Sequence, residues 1–289
     1  MKNYVILGST LITLGGCGGS SNEDNFNLTG TFIDSAVSGL QYSTETRSGF
    51  TDGFGMLAYS PGESVTLSIG QLAFPSFPAQ ETMSPLDVFD ATEVSDVRVV
   101  NLAMLLQSLD ADSNPENGIE ILEDVASNAP STIDFLQDST SFAQDAGVIN
   151  MVSNSGAVVA ELISPIEASR HLQSTLLDAG ELEGFDPVEY TNIVVGNTTT
   201  YTNEGNSYYY RTDGVRFAIE NGVEAQTTWE LDDSGAICEG TVSGETFCVA
   251  DAPGYMMTRT QGSEIYNYSD ENYVGVFTVA SGDSLTLSN

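Results

Sequence analysis

The chain has 289 residues, 40% of them hydrophobic, which is enough to fill more than one domain of ordinary size. Its 41 acidic residues outnumber 7 basic residues, so the formal net charge is −34. This charge repels anionic polymers and excludes nucleic acid as a partner. Salt screens such self-repulsion beyond about 10 Å, so we expect an acidic protein adapted to a marine or halophilic setting.

The first residues have the pattern of a signal peptide. Lys2 precedes an apolar stretch over 4–14 that is too short to cross a bilayer as a helix. The motif Leu14-Gly15-Gly16-Cys17 then resembles the lipobox of bacterial lipoproteins. The resemblance implies a diacylglycerol on Cys17 and a third acyl chain such as palmitate, because a durable anchor needs two or more chains. An ordinary secretory signal with a cysteine near its cleavage site is the alternative.

The resemblance to lipoproteins also implies a location. Residues 1–16 are the predicted signal, and 17–27 form a lipidated, flexible tether rich in Gly, Ser and Asn. Gly18 in place of aspartate is similar to the outer-membrane sorting signal of related bacteria. We therefore expect the protein at the cell envelope, on the outer membrane, with the lipid bilayer as its first partner.

A small β module is predicted over 28–75. Val65, Leu67 and Ile69 alternate with polar residues behind a Pro-Gly turn, which indicates a half-buried strand. The motifs G-x-F-x-D, T-D-x-x-G and P-G-x-x-V-T-L-x-I-G, which begin at residues 30, 51 and 61, resemble transthyretin-like, carboxypeptidase-regulatory β-sandwiches. The resemblance implies a stabilising or spacing module.

Serine followed by proline predicts two helix starts within a helical subdomain over 76–182. Ser84-Pro85 and Ser164-Pro165 place serine at the N-cap and proline at the first helical position. Glu167 completes a capping box at the second start. As a whole, 17–180 resembles the N-terminal region of lipoproteins from marine gammaproteobacteria, which implies a fold and no mechanism.

Two further helices are expected between these starts. Ser95 can cap one, and Ser139 or Thr140 can cap the other. The subdomain would then hold about four helices, whose apolar stripes face one core. The positions expected on those stripes include Val99, Leu102, Leu106, Leu109, Ala168, Leu172 and Leu176.

An acidic loop over 110–120 follows the first long helix. Oxygen ligands at alternate positions allow a loop to wrap Ca²⁺, and this segment resembles an EF-hand or dockerin loop. Pro115 stands where such loops have glycine, so a plain helix-terminating loop is the alternative. The candidate ligands of a structural calcium ion are Asp110, Asp112, Asn114, Glu120 and Glu123.

The last part of the chain, 183–289, reads as antiparallel strands. Asp213-Gly214, Asn221-Gly222 and two Ser-Gly pairs recur between strand-like runs, which predicts a meander of about eight to ten strands in a barrel or sandwich. The stretch resembles small calycin-like barrels of exported proteins. In such barrels aromatic side chains line or fill the interior, so Trp229, Tyr208 and Tyr210 are either core residues or ligand contacts.

Cys238 and Cys248 are expected to form a disulfide across one of these hairpins. An exported protein meets an oxidising compartment, where such a pair is bridged. A three-residue loop centred on Ser243 places the two cysteines opposite each other on one face of the ladder.

Catalytic motifs are scarce. His171 is the only histidine, and a packing or capping role is favoured for it because no G-x-S-x-G motif accompanies it. No spacing distinguishes a carboxylate pair among so many acids. A hydrolase therefore ranks last among the function classes.

The predicted fold is α+β and multidomain: a small N-terminal β-sandwich with a helical subdomain, then the C-terminal antiparallel barrel or sandwich. The predicted function is a non-catalytic, envelope-anchored binding protein whose partner is an envelope protein, a glycan or a small ligand. A carrier of a small apolar ligand inside the C-terminal barrel is the alternative.

Overall fold

A computed structural model describes residues 27–241, 243–252 and 254–285. The predicted signal peptide and Cys17 lie outside these ranges. No helix within them is long and apolar enough to cross a membrane. The described chain has an N-terminal half of short strands and helices and a C-terminal half built on one large sheet.

The N-terminal half begins with short strands in three small sheets. Their order is β5-β1-β9, β4-β3-β6-β7 with β8 also on β6, and β10-β2. In β6 the residues Val65, Leu67 and Ile69 are buried, which confirms the predicted alternation. The strands are β1 Leu28–Phe32, β2 Val37–Ser38, β3 Gln41–Ser43, β4 Ser48–Phe50, β5 Met56–Tyr59, β6 Ser64–Ile69, β7 Leu72–Ala73, β8 Phe77–Pro78, β9 Thr82–Met83 and β10 Ile119–Glu120.

Six α-helices follow or interrupt these strands. Ser84 and Ser164 cap the first and fifth, as predicted, and Ser164 Oγ accepts from the Glu167 N–H at 3.2 Å in the predicted capping box. Asp87 completes a second capping box at Ser84, which was not predicted. The stripe positions of the two long helices are buried, which confirms their orientation. The helices are α1 Pro85–Phe89, α2 Val97–Ser108, α3 Ser139–Phe142, α4 Ala146–Ser153, α5 Pro165–Asp178 and α6 Pro187–Val194.

The caps of the middle helices were predicted wrongly. Asp96 caps α2 in place of Ser95, and Asp138 caps α3 in place of Ser139 or Thr140. Asp96 directly follows Ser95 and Asp138 directly precedes Ser139, and the full negative charge of each carboxylate interacts more favourably with the helix N-terminus than a hydroxyl does. The single helix expected there is also broken, since α3 and α4 have separate caps.

One hydrophobic core, from Phe32 to Leu182, joins the N-terminal strands to helices α1–α5. Leu102, Leu105 and Leu172 are fully buried within it. A second, smaller core contains Tyr190 of α6 and aromatic residues of the large sheet. The strands and helices of the N-terminal half therefore pack as one body.

The C-terminal half is a ten-stranded antiparallel sheet. Its order is β11-β18-β19-β20-β12-β13-β14-β15-β16-β17, so β11 and β17 are edges and the predicted barrel is not closed. The repeated hairpins of the sequence are confirmed. The strands are β11 Leu182–Gly184, β12 Asn197–Tyr201, β13 Asn206–Tyr210, β14 Val215–Glu220, β15 Val223–Leu231, β16 Ile237–Gly240, β17 Thr246–Cys248, β18 Met256–Thr260, β19 Ile265–Ser269 and β20 Val274–Ser281.

The large sheet carries a cysteine pair near one edge and is attached to helix α5. Cys238 and Cys248 lie opposite each other on β16 and β17 with their Sγ atoms 1.97 Å apart, at bonding distance. Helix α5 packs against the face of the large sheet that carries the Thr258 side chain, where Gln173 Nε2 donates to Thr258 Oγ1 at 2.8 Å. The sheet is thus attached to the N-terminal half through α5.

Candidate functional site

A cleft of about 220 Å³ lies on the face of the sheet that carries α6. Five tyrosines line it and come from α6, from β12, β13 and β19, and from the turn before β20; we call it the tyrosine cleft. They are Tyr190, Tyr201, Tyr208, Tyr268 and Tyr273. Because β13 and β19 are not neighbours, it is the curvature of the sheet that brings these rings together.

The tyrosines contact one another edge to face and through their hydroxyls. The Tyr190 and Tyr201 hydroxyl oxygens are 3.2 Å apart, and the Tyr201 and Tyr208 rings meet at a centroid distance of 5.7 Å. Burial raises the pKa of the Tyr190 and Tyr201 hydroxyls well above the ordinary value. Both stay neutral and present polarised rings and hydroxyl dipoles to the cleft.

A buried ion pair forms the base of the cleft. Arg216 Nε is 2.9 Å from Glu239 Oε2, and the Tyr210 hydroxyl donates to the same oxygen at 2.5 Å. The Arg216 N–H is not aligned as a hydrogen bond, so the contact is a charge interaction. Burial raises the pKa of Glu239, although Arg216 and Tyr210 both oppose the shift. The guanidinium carbon also lies 4.1 Å from the centre of the Tyr208 ring.

Two further carboxylates stand at the cleft without a basic partner among their described contacts. Glu204 Oε2 accepts from Asn206 Nδ2 at 2.6 Å, and Asp270 Oδ2 accepts from the Tyr268 hydroxyl at 3.1 Å. Arg216 is already shared between Glu239 and Glu220. The negative charge of the cleft therefore exceeds its positive charge, which attracts cations and repels anions.

The sequence identified the aromatic site only in part. Of the three predicted ligand contacts, Tyr208 lines the cleft, Tyr210 lies beneath it, and Trp229 lies outside it with Nε1 donating to Arg211 O at 2.9 Å. Tyr190 was missed because α6 was missed. The sequence nevertheless contains a signal for α6, because Asp186 at the N-cap and Glu189 three residues later form a capping box.

The acidic loop over 110–120 folds back onto the N-terminal hairpin through the pairing of β10 with β2. Asp110 is buried, and its two oxygens accept from the backbone N–H groups of Glu120 and Asn114 at 2.9 and 2.8 Å. Asp112 accepts from Asn114 N–H and from Asn117 Nδ2, each at 3.0 Å. These bonds close the loop by themselves.

The predicted calcium ligands are only partly assembled. Asp110, Asp112 and Glu120 line a cleft of about 430 Å³, whereas Glu123 begins the next segment and does not line it. Within the described ranges no three acidic, histidine or cysteine side chains are grouped to hold a metal ion. Burial and the neighbouring Asp112 carboxyl group both raise the pKa of Asp110. Calcium binding stays a prediction.

A second buried carboxyl group lies below this loop. Asp34 is fully buried, and Gln107 Nε2 donates to its two oxygens at 2.9 and 3.0 Å. Burial raises the pKa of Asp34 to about 7, although the nearby charge of His171 and the bond from Gln107 lower it. Asp34 ends the G-x-F-x-D motif, but that motif predicts a β module and does not distinguish Asp34 as a buried carboxyl group.

Neither the protein-family models, nor the curated proteins, nor the solved structures contain a match to this chain. The resemblances to transthyretin-like modules, to calycin-like barrels and to marine lipoproteins therefore stay predictions. The function is therefore inferred from the geometry of the chain itself.

We expect millimolar calcium, at fixed high ionic strength, to raise the thermal unfolding midpoint of the wild-type protein. An ion bound to the folded state adds about 2.7 kcal/mol at a hundredfold excess over its Kd. Asp112→Asn should abolish the rise, while Asp124→Asn, in the next segment, should keep it. Equal shifts in all three proteins, or none, would show that the loop is only a polar helix terminator.

The Asp34 carboxyl group should make stability depend on pH in a characteristic direction. Its pKa of about 7 lies above the ordinary 3.8, so it stabilises the fold below about pH 4, and that contribution is lost as pH rises through 7. The unfolding free energy of wild type minus that of Asp34→Asn should fall by up to about 4 kcal/mol between pH 4 and pH 8. Urea denaturation followed by circular dichroism measures it.

Asp138→Asn is the matched control for this series. Hydrogen bonds from Ser141 lower the pKa of Asp138, so its contribution changes only at more acidic pH. Its difference from wild type should be flat over the same range. If Asp34→Asn were equally flat, the buried carboxyl group would not be the source of the pH dependence.

Proposed function

We propose that the chain is an envelope-anchored lipoprotein whose C-terminal sheet binds a small organic cation in the tyrosine cleft. The observation that carries the proposal is the combination of five tyrosines with carboxylates in excess of basic groups around about 220 Å³. Aromatic faces and carboxylates both attract an alkylammonium group, and the ring faces also accept its methyl groups.

The charge balance distinguishes this ligand class from the others. An anion would meet Glu204, Glu239 and Asp270 with Arg216 already paired. A purely apolar ligand would remove these carboxylates from water without compensation. The apolar carrier is therefore less well supported, and so is a neutral glycan, which would leave the excess charge unbalanced.

The size of the cleft sets a limit on the ligand. A volume of about 220 Å³ is smaller than a typical drug-sized site and suits a single small molecule. The Tyr208 ring already packs on the Arg216 guanidinium at 4.1 Å, which supports a preference of these rings for cations. A substituted ammonium group of similar size is the ligand we expect.

The sequence supports a location of the protein at the outer membrane. The motif ending at Cys17 supports a lipid anchor in the outer membrane, and 17–27 would tether the folded part to the bilayer. The bonding distance between Cys238 and Cys248 supports export, because such pairs persist in oxidising compartments. The net charge of the whole chain is −34 and nearly all of its acidic residues lie beyond the tether, so the folded part is repelled by anionic headgroups and the tether would hold it away from the membrane surface.

Choline and its neutral carbon isostere 3,3-dimethylbutan-1-ol test the proposed ligand class. We expect calorimetry to show that choline binds at least about tenfold more tightly, because only choline carries the charge. Asp270→Asn, which keeps an acceptor for the Tyr268 hydroxyl, should weaken choline binding about three- to tenfold.

Neighbouring tyrosines on opposite faces of β13 supply the control. Tyr208 lines the cleft, whereas Tyr209 stacks on Phe217 at a centroid distance of 6.5 Å on the other face. Tyr208→Leu should weaken choline binding and Tyr209→Leu should not. Equal affinity of choline and its isostere would overturn the assignment to organic cations.

The anchor is tested by membrane fractionation of wild type and Cys17→Ser. Loss of the thiol removes the acylation site, so we expect the variant in the soluble fraction and wild type in the outer-membrane fraction. A Cys238→Ser, Cys248→Ser double variant should stay in the membrane fraction, since those thiols do not carry the lipid. Retention of Cys17→Ser equal to wild type would contradict the lipoprotein assignment.

A further inference from the structure

A serine, the only histidine and a glutamate form a continuous relay in the N-terminal half. Ser35 Oγ is 3.1 Å from His171 Nε2, and His171 Nδ1 is 3.1 Å from Glu116 Oε1. The three side chains come from the β1–β2 turn, from α5 and from the acidic loop. The relay is far along the chain from the tyrosine cleft and shares no residue with it.

The partners of His171 define its tautomer. An ionised carboxylate only accepts hydrogen bonds, so the proton of the neutral ring belongs on Nδ1, which donates to Glu116. Nε2 then carries the free lone pair and accepts from the Ser35 hydroxyl. This is the arrangement in which a histidine can remove a proton from serine.

The backbone at Ser35 is unusual for a serine. It has φ of 57° in the left-handed region, within a turn closed by the bridge between Ile33 and Ala36. Holding a non-glycine residue there costs about 1–3 kcal/mol, and nucleophilic serines are often presented on such sharp turns. The turn is held by Asp34 below it and by Thr175, whose Oγ1 accepts from the Ser35 N–H at 3.3 Å.

Two of the three relay side chains border a cleft. His171 and Glu116 line a space of about 490 Å³ between the acidic loop, α5 and the start of β18, while Ser35 is half-buried next to His171 and does not line that space. The His171 side chain is 8% exposed there, and Glu116 is 79% exposed. Arg170 also lines this cleft, and its buried Nε has no hydrogen-bond partner in the described chain. That N–H is available to a carbonyl or carboxylate oxygen of a ligand.

We propose that Ser35 is a catalytic nucleophile that hydrolyses small carboxylic esters, with His171 as general base and Glu116 as the positioning residue. Ser35 Oγ attacks the carbonyl carbon and its proton passes to His171 Nε2. The ester C–O bond breaks, and the alcohol leaves with that proton. Water then attacks the acyl group on Ser35, gives a proton to His171, and the acid and the free serine are released as His171 returns the proton.

The surroundings of His171 favour the charged intermediate of this reaction. When His171 gains a proton, the imidazolium faces Glu116 at 3.1 Å and lies near the buried Asp34. The Glu116 carboxylate, and Asp34 in its ionised form, therefore stabilise the positive charge that develops in the transition state.

A fluorophosphonate probe and p-nitrophenyl acetate test the proposal on the purified full-length protein. We expect the probe to label Ser35, as located by mass spectrometry, and Ser35→Ala to lose both labelling and ester hydrolysis. Ser38→Ala is the matched control, because its hydroxyl lies on the same hairpin and donates to Ile119 O at 3.2 Å. It should keep both activities.

Glu116→Gln tests the positioning role without disturbing the fold, since the side chain is largely exposed. It should lower kcat at least about tenfold with little change in KM or in the unfolding midpoint. Absence of label on Ser35 in folded wild type, or hydrolysis by Ser35→Ala equal to wild type, would overturn the proposal. Labelling of Ser35 with an unchanged kcat in Glu116→Gln would overturn the role of Glu116.

Discussion

The burial of α5 between two different surfaces is the constraint on which the rest of the structure depends. Its leucines pack into the N-terminal core, while Gln173, fully buried on another face, donates to Thr258 of the large sheet. Gln107 of α2 reaches the same helix at Ala168 O, at 3.1 Å. A buried amide without its hydrogen-bond partner costs about 1–3 kcal/mol. These bonds therefore fix the rotation of α5 about its own axis and its position between the N-terminal core and the large sheet. That position in turn sets His171 against the β1–β2 turn.

The acidic composition is accommodated by backbone N–H groups rather than by cations. With six arginines and a single lysine near the start of the chain, ion pairs cannot balance the carboxylates. The fold instead places acids where N–H groups converge, at helix N-termini and in turns, where the charge is stabilised by about 0.3–1 kcal/mol each. The aspartates that cap helices are Asp96, Asp138, Asp145 and Asp186.

Local signals of the sequence predicted local structure well. The serine N-caps of α1 and α5, the capping box of α5, the alternation in β6 and the cysteine register could all be read from the sequence, because each depends on a few adjacent residues. The curvature of the large sheet could not be read from the sequence. We expected a barrel or a sandwich, whereas β11 and β17 remain open edges of a single sheet. The tyrosine cleft and the Ser35–His171–Glu116 relay were missed for the same reason: their members are distant in sequence and meet only through tertiary packing.

The strand order of the large sheet has a consequence for how the chain folds. β11 pairs with β18, and β12 pairs with β20, so the middle of the sheet is completed by the last strands of the described chain. Such non-local pairing makes folding slow. The earlier strands β11 and β12 expose unpaired edges until β18 and β20 pair with them. The N-terminal half has its own core and precedes these strands in the chain, so it can form first and present α5 as a surface. The C-terminal strands then complete the sheet on α5, and an intermediate that lacks them is the species most exposed to proteases.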